Sequence, residues 1–172
     1  ITAADGAVIP ADGLIEVVGI DADGNGVVKT DLPFGSYYLR EHSTDAHYIL
    51  SDEKYPVTFS YGSQEDAVIT VKANDGEAIV NELIFGSLPG MKVDENGDAL
   101  SGAKIGLFAP SVTEFTEENA ILVTTSAEDG AFSFNDIPYG KWIIREIEQP
   151  EGFVLCTEQF PVVINEDAQV IE

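Results

Sequence analysis

Apolar and polar residues alternate along several short stretches of this chain, with the period of two that is typical of half-buried β-strands. The stretches are rich in Val, Ile, Tyr, Phe and Thr, which favour strands. Turn signals such as Asp23-Gly24-Asn25-Gly26 separate them, and Glu114–Ala120 allows a single helical turn. The predicted strands are Ser36–Glu41, Val57–Tyr61, Ala67–Lys72, Ala78–Phe85, Ala103–Phe108, Ile121–Thr125, Ala131–Phe134, Lys141–Ile147 and Gln159–Ile164.

The pattern occurs twice. Asp31-Leu32-Pro33-Phe34-Gly35 returns as Asp136-Ile137-Pro138-Tyr139-Gly140, and this offset of 105 residues holds without a gap from Asp31–Phe59 to Asp136–Ile164. Nine of these 29 pairs are identical. The chain is therefore predicted to be all-β, with two β-sandwiches in tandem. Gly86-Ser87-Leu88-Pro89-Gly90 is typical of a linker, so the predicted domains are 1–86 and 91–172, joined by residues 87–90.

Each copy places a glutamate at the end of a predicted core-facing row. Alternation puts Glu41 on the face of Tyr37 and Leu39, and Glu146 on the face of Trp142 and Ile144. A carboxylate there is costly unless it is neutralised or hydrogen-bonded. The simpler alternatives are a strand-end glutamate that reaches solvent or one that pairs with a nearby arginine.

Asn81 and Lys92 are two further candidates for functional residues. Asn81 lies between apolar residues on one face of Ala78–Phe85, where it is either functional or an edge asparagine bonded to the backbone. Lys92 is one of only 8 cationic residues and lies on a short predicted strand, although alternation does not decide whether it faces the core or solvent.

The composition narrows the range of possible functions. The chain has 172 residues, 44% of them hydrophobic, which is enough for a packed core, and a formal net charge of −23. Such an acidic surface argues against nucleic acid and anionic membranes as partners, and no apolar run is long enough to span a bilayer. The first residues lack the pattern of a signal peptide.

The sequence contains few residues in arrangements that could bind a metal or catalyse a reaction. Cys156 is the one cysteine, and His42 and His47 lie in a polar stretch, so no metal site, disulfide or cofactor is predicted. Asp21–Gly26 and Asp94–Asp98 have some of the spacing of a calcium loop, but hairpin turns explain both. No nucleophile–base–orienter set or phosphate loop is present, so an enzyme is the least favoured class.

Two motifs of the second copy carry a family resemblance. Gly90–Asp94 followed by Leu100–Phe108 resembles the opening "K-x-D … L-x-G-A-x-x-x-L-F/Y" of collagen-adhesin B-type domains, also called Cna-B, SpaA-like or prealbumin-like. Phe134–Gly140 followed by Arg145–Phe153 resembles that family's "F-x-x-L-P-x-G-x-Y-x-x-x-E-x-x-A-P-x-G-Y". The first copy matches from Asp23 through Asn81, with Thr44–His47 in place of the Pro-x-Gly step.

The resemblance implies Ig-like or prealbumin-like sandwiches and a self-made crosslink. Many such domains join a first-strand lysine to a last-strand asparagine through an isopeptide bond, which a middle-strand acid promotes. By position, Glu41 and Glu146 correspond to the acids, Lys92 to the lysine of copy two and Asn81 to the asparagine of copy one. The alignment leaves copy one without its opening strand and copy two without its closing strand. The lysine that pairs with Asn81 is therefore expected before residue 1 and the asparagine for Lys92 after residue 172.

No isopeptide bond is accordingly expected within these 172 residues. A bond between Lys92 and Asn81 would require strand exchange, and Asn165 aligns with a turn region.

The resemblance also implies a function. The chain is expected to be a stalk or spacer of a Gram-positive cell-surface adhesin or pilin, with neighbouring repeats as partners and a wall anchor outside this segment. Any catalysis would be a single self-crosslinking event. The alternative is an adhesin module that binds a host protein or glycan through exposed aromatics such as Tyr38 and Tyr61.

Overall fold

The computed structural model describes residues 2, 6–63 and 69–172 and contains short strands and two short 3-10 segments. No helix among these residues is long and apolar enough to cross a membrane. The 3-10 segments are Ala73–Gly76 and Glu117–Asn119. The strands are β1 (Gly35–Leu39), β2 (Tyr55–Phe59), β3 (Phe85–Met91), β4 (Lys104–Phe108), β5 (Leu122–Thr125), β6 (Ala131–Pro138), β7 (Gly140–Glu148), β8 (Phe160–Ile164) and β9 (Gln169–Val170).

The chain divides into two compact units. The first comprises Ile1–Thr44 and Leu50–Asn81, and the second comprises Asp45–Ile49 and Glu82–Glu172. A short piece of the first sequence copy therefore belongs to the second unit. This happens because Ile49 donates its backbone N–H to the carbonyl of Glu82 at 2.8 Å, and Ile84 donates to the carbonyl of His47 at 2.9 Å.

The second unit has two sheets, in the orders β6-β3-β9 and β5-β4-β7-β8. All pairs are antiparallel except β3 with β9. The apolar positions of the alternating strands form one buried cluster, as expected for a sandwich. Its members are Leu88, Ile105, Leu107, Phe134, Ile137, Ile144, Val162 and Ile164.

In the described part of the first unit, β1 and β2 form one antiparallel pair, in which Tyr37 lies opposite Val57. Half-buried and exposed positions alternate along both strands, as the period of two predicts. Among the described residues of this unit none is fully buried, so Glu41 is less shielded from water than Glu146 of the second unit.

The main differences from the sequence-based predictions concern three segments. The predicted linker at 87–90 is wrong as secondary structure, because these residues lie inside β3. β9 pairs only with Gly86 and Ser87, so no strand pairs with this side of β3 at Pro89. Pro89 is tolerated because the N–H that proline lacks is not needed for pairing there. The strand predicted at Ala78–Phe85 is reduced to a bridge at Leu83 and the start of β3. Of the strand predicted at Ala67–Lys72, residues 67 and 68 lie outside the described residues and 69–72 form no strand.

Candidate functional site

Glu146 lies in the middle of the four-stranded sheet of the second unit. It belongs to β7, which runs between β4 and β8, and it is paired with Ile105. Alternation along β7 turns its side chain to the same buried side as Ile144, and only 4% of the side chain is exposed. The backbone N–H of Cys156 donates to Oε2 at 2.6 Å. Oε1 is buried and receives no hydrogen bond from the described residues.

Lys92 is the cation nearest to this carboxylate. It follows β3 directly, and its Nζ lies 3.9 Å from Oε1 of Glu146. Its backbone is fixed on both sides, since its N–H donates to Gly130 at 2.8 Å and its carbonyl accepts from Leu100 at 2.9 Å. The side chain is 21% exposed, and Nζ also donates to the carbonyl of Val93 at 3.4 Å. The ammonium group of Lys92 and the carboxylate of Glu146 therefore lie close together, but the distance between Nζ and Oε1 is longer than that of a good hydrogen bond.

Glu41 occupies the corresponding place in the first unit, just after β1. Its Oε2 accepts the backbone N–H of Ser51 at 2.8 Å. Its Oε1 accepts Nδ2 of Asn81 at 2.6 Å, and the same Nδ2 donates to the hydroxyl of Thr44 at 2.7 Å. Both hydrogens of the Asn81 amide nitrogen are thus used, which fixes the orientation of the amide plane.

The two glutamates are held in the same way. Ser51 and Cys156, like Glu41 and Glu146, are separated by the repeat offset, and each donates its backbone N–H to Oε2 ten positions back. We call this contact the carboxylate clamp. Sequence reasoning missed it because a backbone donor places no demand on side-chain identity, although the matching offset could have pointed to it.

A second contact repeats at the same offset. The Tyr37 hydroxyl donates to the carbonyl of Pro33 at 2.6 Å, and Trp142 Nε1 donates to that of Pro138 at 2.8 Å. Each bond ties a strand, β1 or β7, to the proline that lies two residues before that strand begins. The repeat therefore extends from sequence to the geometry of the site.

The structure brings the predicted site residues together in two different pairs. The second unit brings together Lys92 and Glu146, and the first brings together Asn81 and Glu41. Asn81 and Lys92 belong to different units, and each contacts the glutamate of its own unit.

The two aspartate-containing turns, which resemble calcium loops in spacing, are held by hydrogen bonds within each turn. Oδ1 of Asp94 accepts the N–H groups of Asn96 at 2.8 Å and Asp98 at 3.0 Å, and Asp21 is used in the same way by Asp23 and Asn25. The N–H groups of Asp98 and Asn96 hold the pKa of Asp94 below its ordinary value. Within the described ranges no three His, Cys, Asp or Glu residues are grouped to hold a metal.

Comparison with known proteins identifies related folds. The profile of the SpaA prealbumin-like fold domain matches residues 1–77 and 86–172. No curated protein matches the chain significantly. The TIE protein of Bacillus anthracis matches with a TM-score of 0.65 and 23% identity, over 99% of this chain and 31% of that one.

Two pilin structures match less closely. A streptococcal ancillary pilin gives a TM-score of 0.41 and 25% identity over 83% of this chain and 42% of that one. BcpA, the major pilin subunit of Bacillus cereus, gives 0.41 and 22% over 54% and 29%. The present chain thus spans less than half the length of each of these three proteins.

Proposed function

The chain belongs to the family of SpaA prealbumin-like fold domains, and from this premise we propose that it is a stalk or spacer segment of a Gram-positive cell-surface protein of the adhesin or pilin kind. Tandem β-modules give length and stiffness, and an acidic surface with a net charge of −23 resists nonspecific association. Its partners are the neighbouring repeats of the same surface protein, outside the cell.

We further propose that each module is closed by a Lys–Asn isopeptide bond in the longer protein. The observation that carries this proposal is the carboxylate clamp, which holds Glu41 beside Asn81 in one copy and Glu146 beside Lys92 in the other. Lys92 then reacts with an asparagine supplied after residue 172, and Asn81 with a lysine supplied before residue 1.

The chemistry is an exchange of one amide for another. Nζ of Lys92 first gives a proton to Glu146, and the neutral amine then attacks the side-chain carbonyl carbon of the asparagine, forming a C–N bond. The protonated glutamate polarises the carbonyl oxygen, then moves a proton from the attacking nitrogen to the leaving nitrogen. The C–Nδ2 bond breaks and ammonia departs, so atoms and electrons balance without a cofactor. The reaction occurs once per bond and gives no turnover.

Intact mass spectrometry tests this proposal. The protein with its natural flanking sequence should be lighter than its sequence mass by one ammonia per bond, whereas residues 1–172 alone should keep the full mass. Lys92→Ala should restore one ammonia to the longer protein. Lys104→Ala is the matched control, because Lys104 pairs at the surface with Glu117 at 2.9 Å and Glu148 at 3.4 Å. Full sequence mass in the longer protein would contradict the crosslink.

An adhesin role is the second candidate, and one observation favours it. The rings of Phe34 and Tyr61 pack edge to face at 6.3 Å although both residues are about three-fifths exposed, at 60% and 61%. By contrast, Lys54 covers the ring of Tyr38 at 4.3 Å. A glycan array and a host matrix-protein screen should lose any signal with Phe34→Ala and keep it with Tyr38→Ala. Equal binding by both variants would exclude this surface.

A further inference from the structure

Thr44 contacts the side-chain amide of Asn81 directly. The threonine hydroxyl oxygen accepts Nδ2 of Asn81 at 2.7 Å, and Oε1 of Glu41 accepts the same nitrogen at 2.6 Å. All three residues are half-buried and belong to the first unit. The amide therefore has two partners within its own unit, and the proposed crosslinking chemistry uses only the glutamate.

The threonine departs from the motif that the sequence resembles. In E-x-x-A-P, the position three residues after the acid holds alanine, which has no polar side chain. Thr44 lies three residues after Glu41, whereas the corresponding residue of the second copy is Gln149, which is exposed. A hydroxyl group beside the amide is therefore a property of the first copy and not of the repeat.

A second acceptor restricts the rotation of the amide. The terminal torsion of an asparagine side chain is broad, so a single hydrogen bond leaves the amide plane able to turn about the Cβ–Cγ bond. The amide nitrogen carries two hydrogens, of which one is held by Glu41 and the other by Thr44. Oδ1 of Asn81 receives no hydrogen bond from the described part of the chain. The orientation of the amide is thus set from its nitrogen side.

We propose that Thr44 is a positioning residue for the crosslink at Asn81, because it keeps the leaving nitrogen within reach of Glu41. In the amide exchange, Nδ2 departs as ammonia only after it has received a proton, and Oε1 of Glu41 lies 2.6 Å from it. The Cγ–Nδ2 bond breaks and the new C–N bond to the lysine remains, while Thr44 neither gains nor loses a proton overall. This role of Thr44 rests on the proposed crosslink, whereas its hold on the amide is testable without it.

Three variants of the longer protein with its natural flanking sequence test this role. Thr44→Val removes the oxygen but keeps a β-branched side chain, and Thr44→Ser keeps the oxygen. Ser43→Ala is the matched control, because it removes an exposed hydroxyl from the neighbouring residue. After cell-free synthesis, mass spectrometry of digested samples follows the loss of ammonia at Asn81 over time. Thr44→Val should slow this loss about three- to tenfold, the equivalent of one hydrogen bond, and the other two variants should stay close to the wild type.

Exchange of the Asn81 side-chain amide gives a readout that needs no crosslink. It is measured by NMR in the 172-residue chain, in which Asn81 keeps its Nδ2. In Thr44→Val, one of the two Nδ2 hydrogens should exchange with water at least about threefold faster, because it has lost its acceptor. Thr44→Ser should restore the slower exchange.

The outcomes separate the role of Thr44 from the crosslink itself. Slower loss of ammonia at Asn81 in Thr44→Val alone, with an unchanged rate for the Lys92 bond of the second copy, supports both. A wild-type rate in Thr44→Val, or equal slowing in Thr44→Ser, overturns the role of Thr44 and leaves the crosslink standing. If the wild type loses no ammonia at Asn81, both the crosslink and the role of Thr44 in it are wrong. Equal amide exchange in Thr44→Val and the wild type would also contradict the hold of Thr44 on the amide.

Discussion

Val162 and Val163 are neighbours in β8 whose side chains lie on opposite faces of the sheet, with 3% and 44% exposure. Truncation to alanine removes two methyl groups in each case. At Val162 the lost transfer free energy is about 1.6 kcal/mol. The cavity left in the shared core raises the total to about 2–3 kcal/mol. At Val163 we expect less than about 1 kcal/mol, because the side chain already contacts solvent.

Thermal and urea unfolding of the second unit measure this difference. For a domain of this size, Val162→Ala should lower Tm by about 8–24 °C and Val163→Ala by less than about 8 °C. The repeat offers a further control, since Val57 is the counterpart of Val162 but is only half-buried. Val57→Ala should therefore cost less than Val162→Ala. Equal losses at Val162 and Val163 would refute the assignment of faces and the sandwich built on it.

Three other predictions concern the bonds and turns around the sites. Trp142→Phe and Tyr37→Phe each remove one donor to a proline carbonyl and should cost about 1 kcal/mol in urea unfolding; no change in either would mean that the carbonyl finds another donor. Gly130→Ala should cost about 1–3 kcal/mol more than Gly97→Ala. Both glycines have positive φ, but only at Gly130 would a Cβ meet a backbone carbonyl, at 2.5 Å, so equal costs would argue against this close approach. Because the pKa of Asp94 is lowered in the folded state, its contribution to stability is present above the ordinary value of 3.8 and is lost as pH falls through the folded value. The melting temperature should therefore fall more steeply from pH 5 to pH 2 in the wild type than in Asp94→Asn, and parallel curves would contradict this.

Alternation made much of the fold predictable. The period of two predicts that Glu146 shares the inner face of its strand with Ile144, and the structure buries both side chains in β7, whereas Glu41 lies two residues beyond the end of β1 and is half-buried. The linker was mispredicted because glycine and proline mark a loop only where no neighbouring strand accommodates them. In β3, the ring of Phe132 packs over Gly90. The short parallel strand β9 was missed because two residues carry no periodicity.

The site was less predictable for a different reason. Residue types indicated the glutamates, Asn81 and Lys92, but the donors that hold the carboxylates are the backbone N–H groups of Ser51 and Cys156. A backbone donor leaves the side chain free to differ, so serine and cysteine serve equally, and the constraint on the sequence is only that proline is excluded. A feature of this kind appears in a sequence only as a fixed spacing from the glutamate. The internal repeat makes it detectable, because two copies with unlike side chains share one bond at one offset.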